Sequence, residues 1–199
     1  MIDTHKTGEF RYDVSDIRDQ DEAEFGITPS QTVGPYVHIG LTLEGSELIA
    51  PDDAADTVEV TVSVTDGNGD PVADAMIEIW QTRPDGTYNT DEVDGFRGLG
   101  RGMVDDTGAV TFTTLVPGAT DEEAPHLKVG VFARGMLERL YTRLYFPENA
   151  EANAADPVLA LVDAARRDLL AARAVDGGYR LDIVVQHEDA EKETPFFRV

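Results

Sequence analysis

The sequence predicts an all-β chain folded as a two-sheet sandwich with a short helical insertion. Three observations carry that prediction: apolar residues alternate with polar ones in several short runs, turn signals separate those runs, and a single stretch has helical spacing. A strand with one apolar face must bury it against another sheet, so many such strands imply a sandwich.

The first strand begins near residue 57, where Val58, Val60, Val62 and Val64 alternate with Glu59, Thr61 and Ser63. Asp66-Gly67-Asn68-Gly69-Asp70-Pro71 then turns the chain. A second strand spans Met76 to Gln81, with Ile77, Ile79 and Gln81 on one face and Met76, Glu78 and Trp80 on the other. Pro84-Asp85-Gly86 follows as a turn. Further strands are predicted at 109–115 (Val110 and Phe112 on one face), 126–133 (Leu127, Val129, Val131), 138–146 and 180–187 (Leu181, Ile183, Val185), with a short closing strand near 194–198. Turn signals at Asp106-Thr107-Gly108, Pro117-Gly118 and Asp176-Gly177-Gly178 separate most of them. Asp156 to Ala172 is the helical insertion, with Leu159, Val162, Leu169 and Leu170 near helical spacing and Pro157 at an N1-like position. Residues 1–27 carry eight acidic side chains and neither hydrophobic period, which predicts an acidic N-terminal arm ahead of a single domain over 28–199.

Composition narrows the function classes. A chain of 199 residues that is 41% hydrophobic and 28% charged suits one globular domain. Its net charge of −23 repels phosphate backbones and anionic lipid, so neither nucleic acid nor membrane is an expected partner. The apolar runs are too short to span a bilayer and MIDTHKTGEF lacks the layout of an export signal, so the expectation is a soluble, cytoplasmic chain. With no cysteine, the chain has no disulfide, thiolate metal site or cysteine nucleophile. Lysine occurs only at Lys6, Lys128 and Lys192, while carboxylates are spread throughout. That pattern suits a halophilic-type surface, whose carboxylates hold water and whose mutual repulsion salt screens.

Local motifs are few. Asp66-x-Asn68-x-Asp70 begins like a calcium loop, but Pro71 stands where Gly is needed and Ile77 where a bidentate Glu belongs, which leaves a hairpin turn. Gly98-Leu99-Gly100-Arg101-Gly102 lacks the strand-to-helix setting of a pyrophosphate loop and reads as a flexible loop. HExxH, GxSxG and P-loop signatures are absent. His5, His38, His126 and His187 never fall at i, i+2 or i+4, so no two of them grip a metal from one element. His126 heads a predicted strand with Lys128 two residues on, hence on the same face. That is the frame of a strand metal site, except that an ammonium repels a cation.

Several stretches together resemble the intradiol ring-cleaving dioxygenases. They are TPSQTVGPYVHIGL from Thr28 to Leu41, IEIWQ from Ile77 to Gln81 with Gly86-Thr87-Tyr88, and APHLKVGVFARG from Ala124 to Gly135. TRLYFP from Thr142 to Pro147, PVLAL from Pro157 to Leu161 and YRLDI from Tyr179 to Ile183 follow in order, covering about 28–198. The resemblance implies the β-sandwich of that family and its chemistry, in which two tyrosines and two histidines hold Fe(III), a catecholate chelates it and dioxygen opens the ring. Within the family the chain is similar to the alpha chains of two-chain enzymes that act on protocatechuate with O2.

Carried over by position, Tyr88 matches the first tyrosine and His126 the first histidine, while Ala119 stands where the second tyrosine belongs and Lys128 replaces the second histidine. Losing a phenolate and gaining an ammonium removes the anionic charge that ferric iron needs. The resemblance therefore implies a degenerate iron site, no catalytic residue in this chain alone, and iron bound by a homologous beta subunit as partner. It also implies that Thr32, Tyr36 and Arg134 help form that partner's substrate pocket, where hydroxyl and guanidinium donors suit the carboxylate of protocatechuate. The plainer reading of Arg134 pairs it with a surface carboxylate. A homologous partner implies a large buried interface. Two other readings stay open here. One is a self-sufficient intradiol enzyme using Tyr141 or Tyr145, against which Lys128 argues; the other is a transthyretin-like binding module, which Gly67 to Asp74 and Ile77 to Trp80 also suit.

Overall fold

The alternating runs pair into two four-stranded sheets in the computed structural model, which describes residues 31–41, 43–50, 54–88 and 95–198. The acidic arm expected at 1–27 lies outside the described residues. In chain order the strands are β1 (Thr57–Thr65), β2 (Met76–Trp80), β3 (Leu99–Met103), β4 (Ala109–Leu115), β5 (His126–Phe132), β6 (Leu140–Tyr145), β7 (Arg173–Val175) and β8 (Gly178–Val184). One sheet runs β4-β1-β8-β7 and the other β3-β2-β5-β6. All pairings are antiparallel except β1 with β8.

Period-2 alternation puts the apolar residues of both sheets into one core. Val60, Val62, Val64, Phe112, Leu181 and Ile183 come from the first sheet, and Ile77, Ile79, Leu127, Val129, Val131 and Leu144 from the second. Gln81 joins the two layers: its Oε1 accepts from the Thr114 hydroxyl at 2.6 Å and its Nε2 donates to the Leu115 carbonyl at 2.7 Å. A buried amide is tolerated there because both ends are bonded. The Asp66 turn is the hairpin turn expected, for Oδ1 of Asp66 accepts from the backbone of Asn68 and Asp70 at 2.8 and 2.9 Å, and Thr65 bridges Pro71 beneath it.

Three expectations are corrected. The glycine-rich segment read as a flexible loop is strand β3, whose Gly100 and Gly102 face inward. A Cβ on Gly100 would stand 2.6 Å from the Ile49 side chain, and one on Gly102 2.6 Å from that of Val110, so the glycines make room for core residues from elsewhere. The continuous helix expected from Asp156 to Ala172 is two 3-10 turns, Leu159–Leu161 and Ala164–Leu170, parted by extended backbone at Val162 and Asp163. The Arg167 guanidinium donates to the carbonyls of Val162 and Ala160, taking bonds that a helix would make internally. The α-helices among the described residues are α1 (Tyr36–Gly40) and α2 (Ala150–Ala155). The closing strand near 194–198 is a single bridge, with Phe197 N donating to Tyr141 O at 2.7 Å. Among the described residues no helix is long and apolar enough to cross a membrane.

Phe112 is fully buried in the intersheet layer. Phe112→Ala is expected to lower the unfolding free energy by about 3–5 kcal/mol, read from the denaturant midpoint at unchanged slope. A loss below about 1 kcal/mol would mean that the layer collapses onto the gap.

Candidate functional site

Outer faces carry whatever chemistry the chain has, because the inner faces are spent on the core. On β5 the inward residues are Leu127, Val129 and Val131, which leaves His126, Lys128 and Gly130 facing out. The ladder sets Lys128 beside Trp80 of β2 and Arg143 of β6, and His126 beside Tyr145.

Lys128 Nζ lies 4.6 Å from the centre of the Tyr88 ring and 5.2 Å from that of Trp80, and the two rings are 5.4 Å apart. An ammonium over electron-rich rings is a favourable contact. Tyr88 reaches it from the turn after β2, and that turn is locked in place by Gly86, which has φ +83°. A Cβ on Gly86 would overlap the Ala119 carbonyl oxygen, so the loop bearing Ala119 packs directly on the turn that carries Tyr88.

His126 is buried behind Lys128. Its Nδ1 lies 2.8 Å from the Ala124 carbonyl, which can only accept, so Nδ1 carries the proton. Burial pushes the imidazole below its ordinary value, with Arg143 and Lys128 acting in the same direction against the Ala124 bond and Glu123. Its Nε2 faces Glu123 Oε2 at 3.7 Å as a neutral ring.

A buried polar chain that sequence reasoning missed runs beside it. Arg143 donates to Glu123 at 2.9 Å and to the Tyr145 hydroxyl at 3.4 Å, and that hydroxyl donates to Asp156 at 3.0 Å. Asp156 also accepts from the backbone of Ala124, Val158 and Leu159 at 2.8–2.9 Å. Burial alone would raise its pKa, but these donors outweigh it and hold the carboxyl below the usual range. Burial raises the Tyr145 phenol, which stays protonated. Its hydroxyl is committed to the Asp156 carboxylate. Tyr141 is turned to Phe197, edge-on at 6.2 Å, with the Arg139 guanidinium 5.8 Å from its ring.

The four positions matched to a ferric site thus supply two donor side chains, Tyr88 and His126, a methyl at Ala119 and a cation at Lys128. They do not fit a four-donor ferric shell. Among the described residues, no three His, Cys, Asp or Glu side chains gather where they could hold a metal.

The remaining candidates lie elsewhere. Thr32 Oγ1 accepts from Gly135 N at 2.7 Å, which ties the segment before α1 to the loop carrying Arg134. The Arg134 side chain is 71% exposed and its Nε lies 3.4 Å from Asp74, the surface pairing that the plainer reading expected. It also lines a cavity of about 560 Å³ with Val72, Met136, Leu140 and Phe196. Tyr36, at the start of α1, is 77% exposed and makes no ring contact or hydrogen bond with either group among the described residues.

A family model described as Dioxygenase matches residues 34–125. The protocatechuate 3,4-dioxygenase alpha chain of Pseudomonas putida is 40% identical over 194 residues, spanning 85% of this chain and 95% of that one. The protocatechuate 3,4-dioxygenase beta chain of Burkholderia cepacia is 30% identical over 196 residues, 87% of this chain and 80% of that one. Among solved structures, an intradiol ring-cleavage dioxygenase from Tetranychus urticae superposes with a TM-score of 0.55 over 84% of this chain and 98% of its own, at 17% identity, a likeness of fold.

The depressed imidazole has a consequence for stability. A histidine that resists protonation when folded contributes stability that is full above the unfolded value of 6.5 and is lost as pH falls toward the folded value. The denaturant midpoint is therefore expected to fall as pH drops below about 6.5, and His126→Gln to flatten that decline. An unchanged slope in the variant would place the acid sensitivity elsewhere.

Proposed function

The chain belongs to the intradiol ring-cleaving dioxygenases, and from that premise we propose that it is the iron-free alpha subunit of a protocatechuate 3,4-dioxygenase. The complex cleaves 3,4-dihydroxybenzoate between its two hydroxylated carbons, placing both atoms of O2 in the product, 3-carboxy-cis,cis-muconate. The iron is held by a homologous beta subunit, and this chain completes the pocket around the substrate.

One observation carries the reading. Where a ferric centre needs an imidazole, this chain has an ammonium between two aromatic rings, and where it needs a phenolate it has Ala119. Fe(III) is a hard trication, and a site with a fixed positive charge and two donors has neither the negative charge nor the ligand count for it. The higher identity to an alpha chain than to a beta chain points the same way. These features also disfavour a self-sufficient enzyme and a carrier module.

For the substrate pocket, the support is positional. Thr32 is bonded to the Arg134 loop, so the two act as one surface, and Arg134 presents an exposed guanidinium restrained by a single carboxylate. A guanidinium can exchange that partner for the carboxylate of protocatechuate, with hydroxyl donors at Thr32 and Tyr36 available to the same pocket.

The expected result is iron and protocatechuate-dependent oxygen uptake only when the chain is co-expressed with its beta subunit. Stoichiometric iron and uptake in the lone chain would overturn the proposal. In the complex, Arg134→Ala is expected to raise KM for protocatechuate about tenfold, the loss of one charge-assisted hydrogen bond, with a smaller change in kcat. An unchanged KM would remove Arg134 from the pocket.

A further inference from the structure

The outer face of the β3-β2-β5-β6 sheet holds a second feature, beside the Lys128 ring contacts on which the subunit reading rests. A notch of about 180 Å³ opens between β2, β5 and β6, lined by Glu78, Trp80, Lys128, Gly130, Arg139 and Tyr141. Gly130 lies between Glu78 and Arg139, and the Arg139 stem packs over it, since a Cβ there would stand 3.0 Å from Arg139 Cδ. The glycine lets that stem lie close to the strand.

The walls are of two kinds. Trp80, 47% exposed, and Tyr141 supply aromatic surface. Lys128 and Arg139 supply positive charge, with Arg101 just behind. Arg101 and Arg139 share one carboxylate, Glu78, at 2.7 and 3.3 Å. Among the described residues Lys128 has aromatic partners, and no carboxylate lies within ion-pair distance of its ammonium. Among the described residues the patch carries Lys128, Arg139 and Arg101 against the one carboxylate of Glu78, an excess of positive charge on a chain whose net charge is −23. A positive patch on so acidic a surface is suited to an anionic ligand.

We propose that this notch binds a single-ring aromatic carboxylate, its carboxylate on Lys128 and Arg139 and its ring against Trp80 and Tyr141. Size fits the class: a cavity of about 150 Å³ is enough for benzene, and the carboxylate lies at the open, cationic rim. An ammonium held by two rings keeps its N–H donors available to an anion, and a guanidinium adds a planar fork for the second oxygen. The class includes the aromatic acids on which the complex acts, so the iron-free chain would hold a second site for them, distinct from the Thr32 and Arg134 surface. The inference does not depend on the subunit reading, since it is tested on binding in the absence of iron.

Trp80 is the only tryptophan of the chain and reports the notch directly. Titrating the full chain, free of iron, with benzoate is expected to change Trp80 emission saturably, with half-saturation below about 10 mM. Lys128→Met and Arg139→Gln are each expected to weaken binding at least tenfold, while Arg173→Ala, on the opposite sheet, titrates as the parent does. Where the chain needs its partner to stay folded, the same titration of the complex, taken as the difference between parent and Trp80→Phe, reads the same site. Three outcomes overturn the proposal: no saturable change, an equal response to acetate, which would mark a site for anions without a ring, or unaltered binding in both charge variants.

Discussion

Everything in this molecule follows from two sheets burying one face each against the other. That burial divides every strand into residues committed to the core and residues free to face outward, and the division alternates along the chain. Val129 cannot leave the core without taking Lys128 off the surface, because a slip of one residue exchanges the two faces. The position of each outward side chain is thus as fixed as the core itself. Tyr88, although it lies beyond the end of β2, inherits the same rigidity through the contact of Gly86 with the Ala119 loop.

Electrostatics work against that background. A chain of net charge −23 has abundant carboxylates to pair with its few cations, and most of the described cations take one: Arg173 and Arg180 share Asp182, Arg134 meets Asp74, and Arg143 meets Glu123. The Arg143 pair is buried, and removing either partner would strand a charge away from water. Tyr145 and Asp156 extend it into a bonded chain, so the 3-10 turns around Leu159 and Leu170 are fastened to β6 by hydrogen bonds as well as by the small apolar cluster of Ala124, Tyr145, Leu159, Val162 and Leu170.

The core-facing half of each strand was legible in the sequence because period 2 is a local property that needs no knowledge of the partner. Val60, Val62 and Val64 point inward as their spacing predicts, and so do Ile77, Ile79 and Gln81. β3 was hidden for the opposite reason: its inward positions are glycines, whose meaning lies in Ile49, Phe112 and Val110, residues distant in sequence. The segment after Asp156 misled because alanine and leucine favour helix wherever they stand, while Asp163 and the Arg167 bonds impose extended backbone and tight turns through tertiary contact. The degenerate metal positions could be read from resemblance to a family, yet the ring pair around Lys128 and the chain from Glu123 to Asp156 could not. Both depend on the registers that join β2 to β5 and β5 to β6.

Lys128 shows how positions matched to a metal site can be ordered by other contacts. A ligand set without its ion is a cluster of polar groups in need of partners, and burial makes each unmet need costly. Here each position has been given another use. His126 donates to Ala124, the loop bearing Ala119 packs on Gly86, and the Lys128 ammonium rests on the Tyr88 and Trp80 rings. These groups therefore have partners within the chain, and the charge on the face is of the sign that draws carboxylates. A positive charge that disfavours a ferric ion favours an organic anion. The ammonium that does not fit a ferric shell is thus of the sign that an organic anion needs.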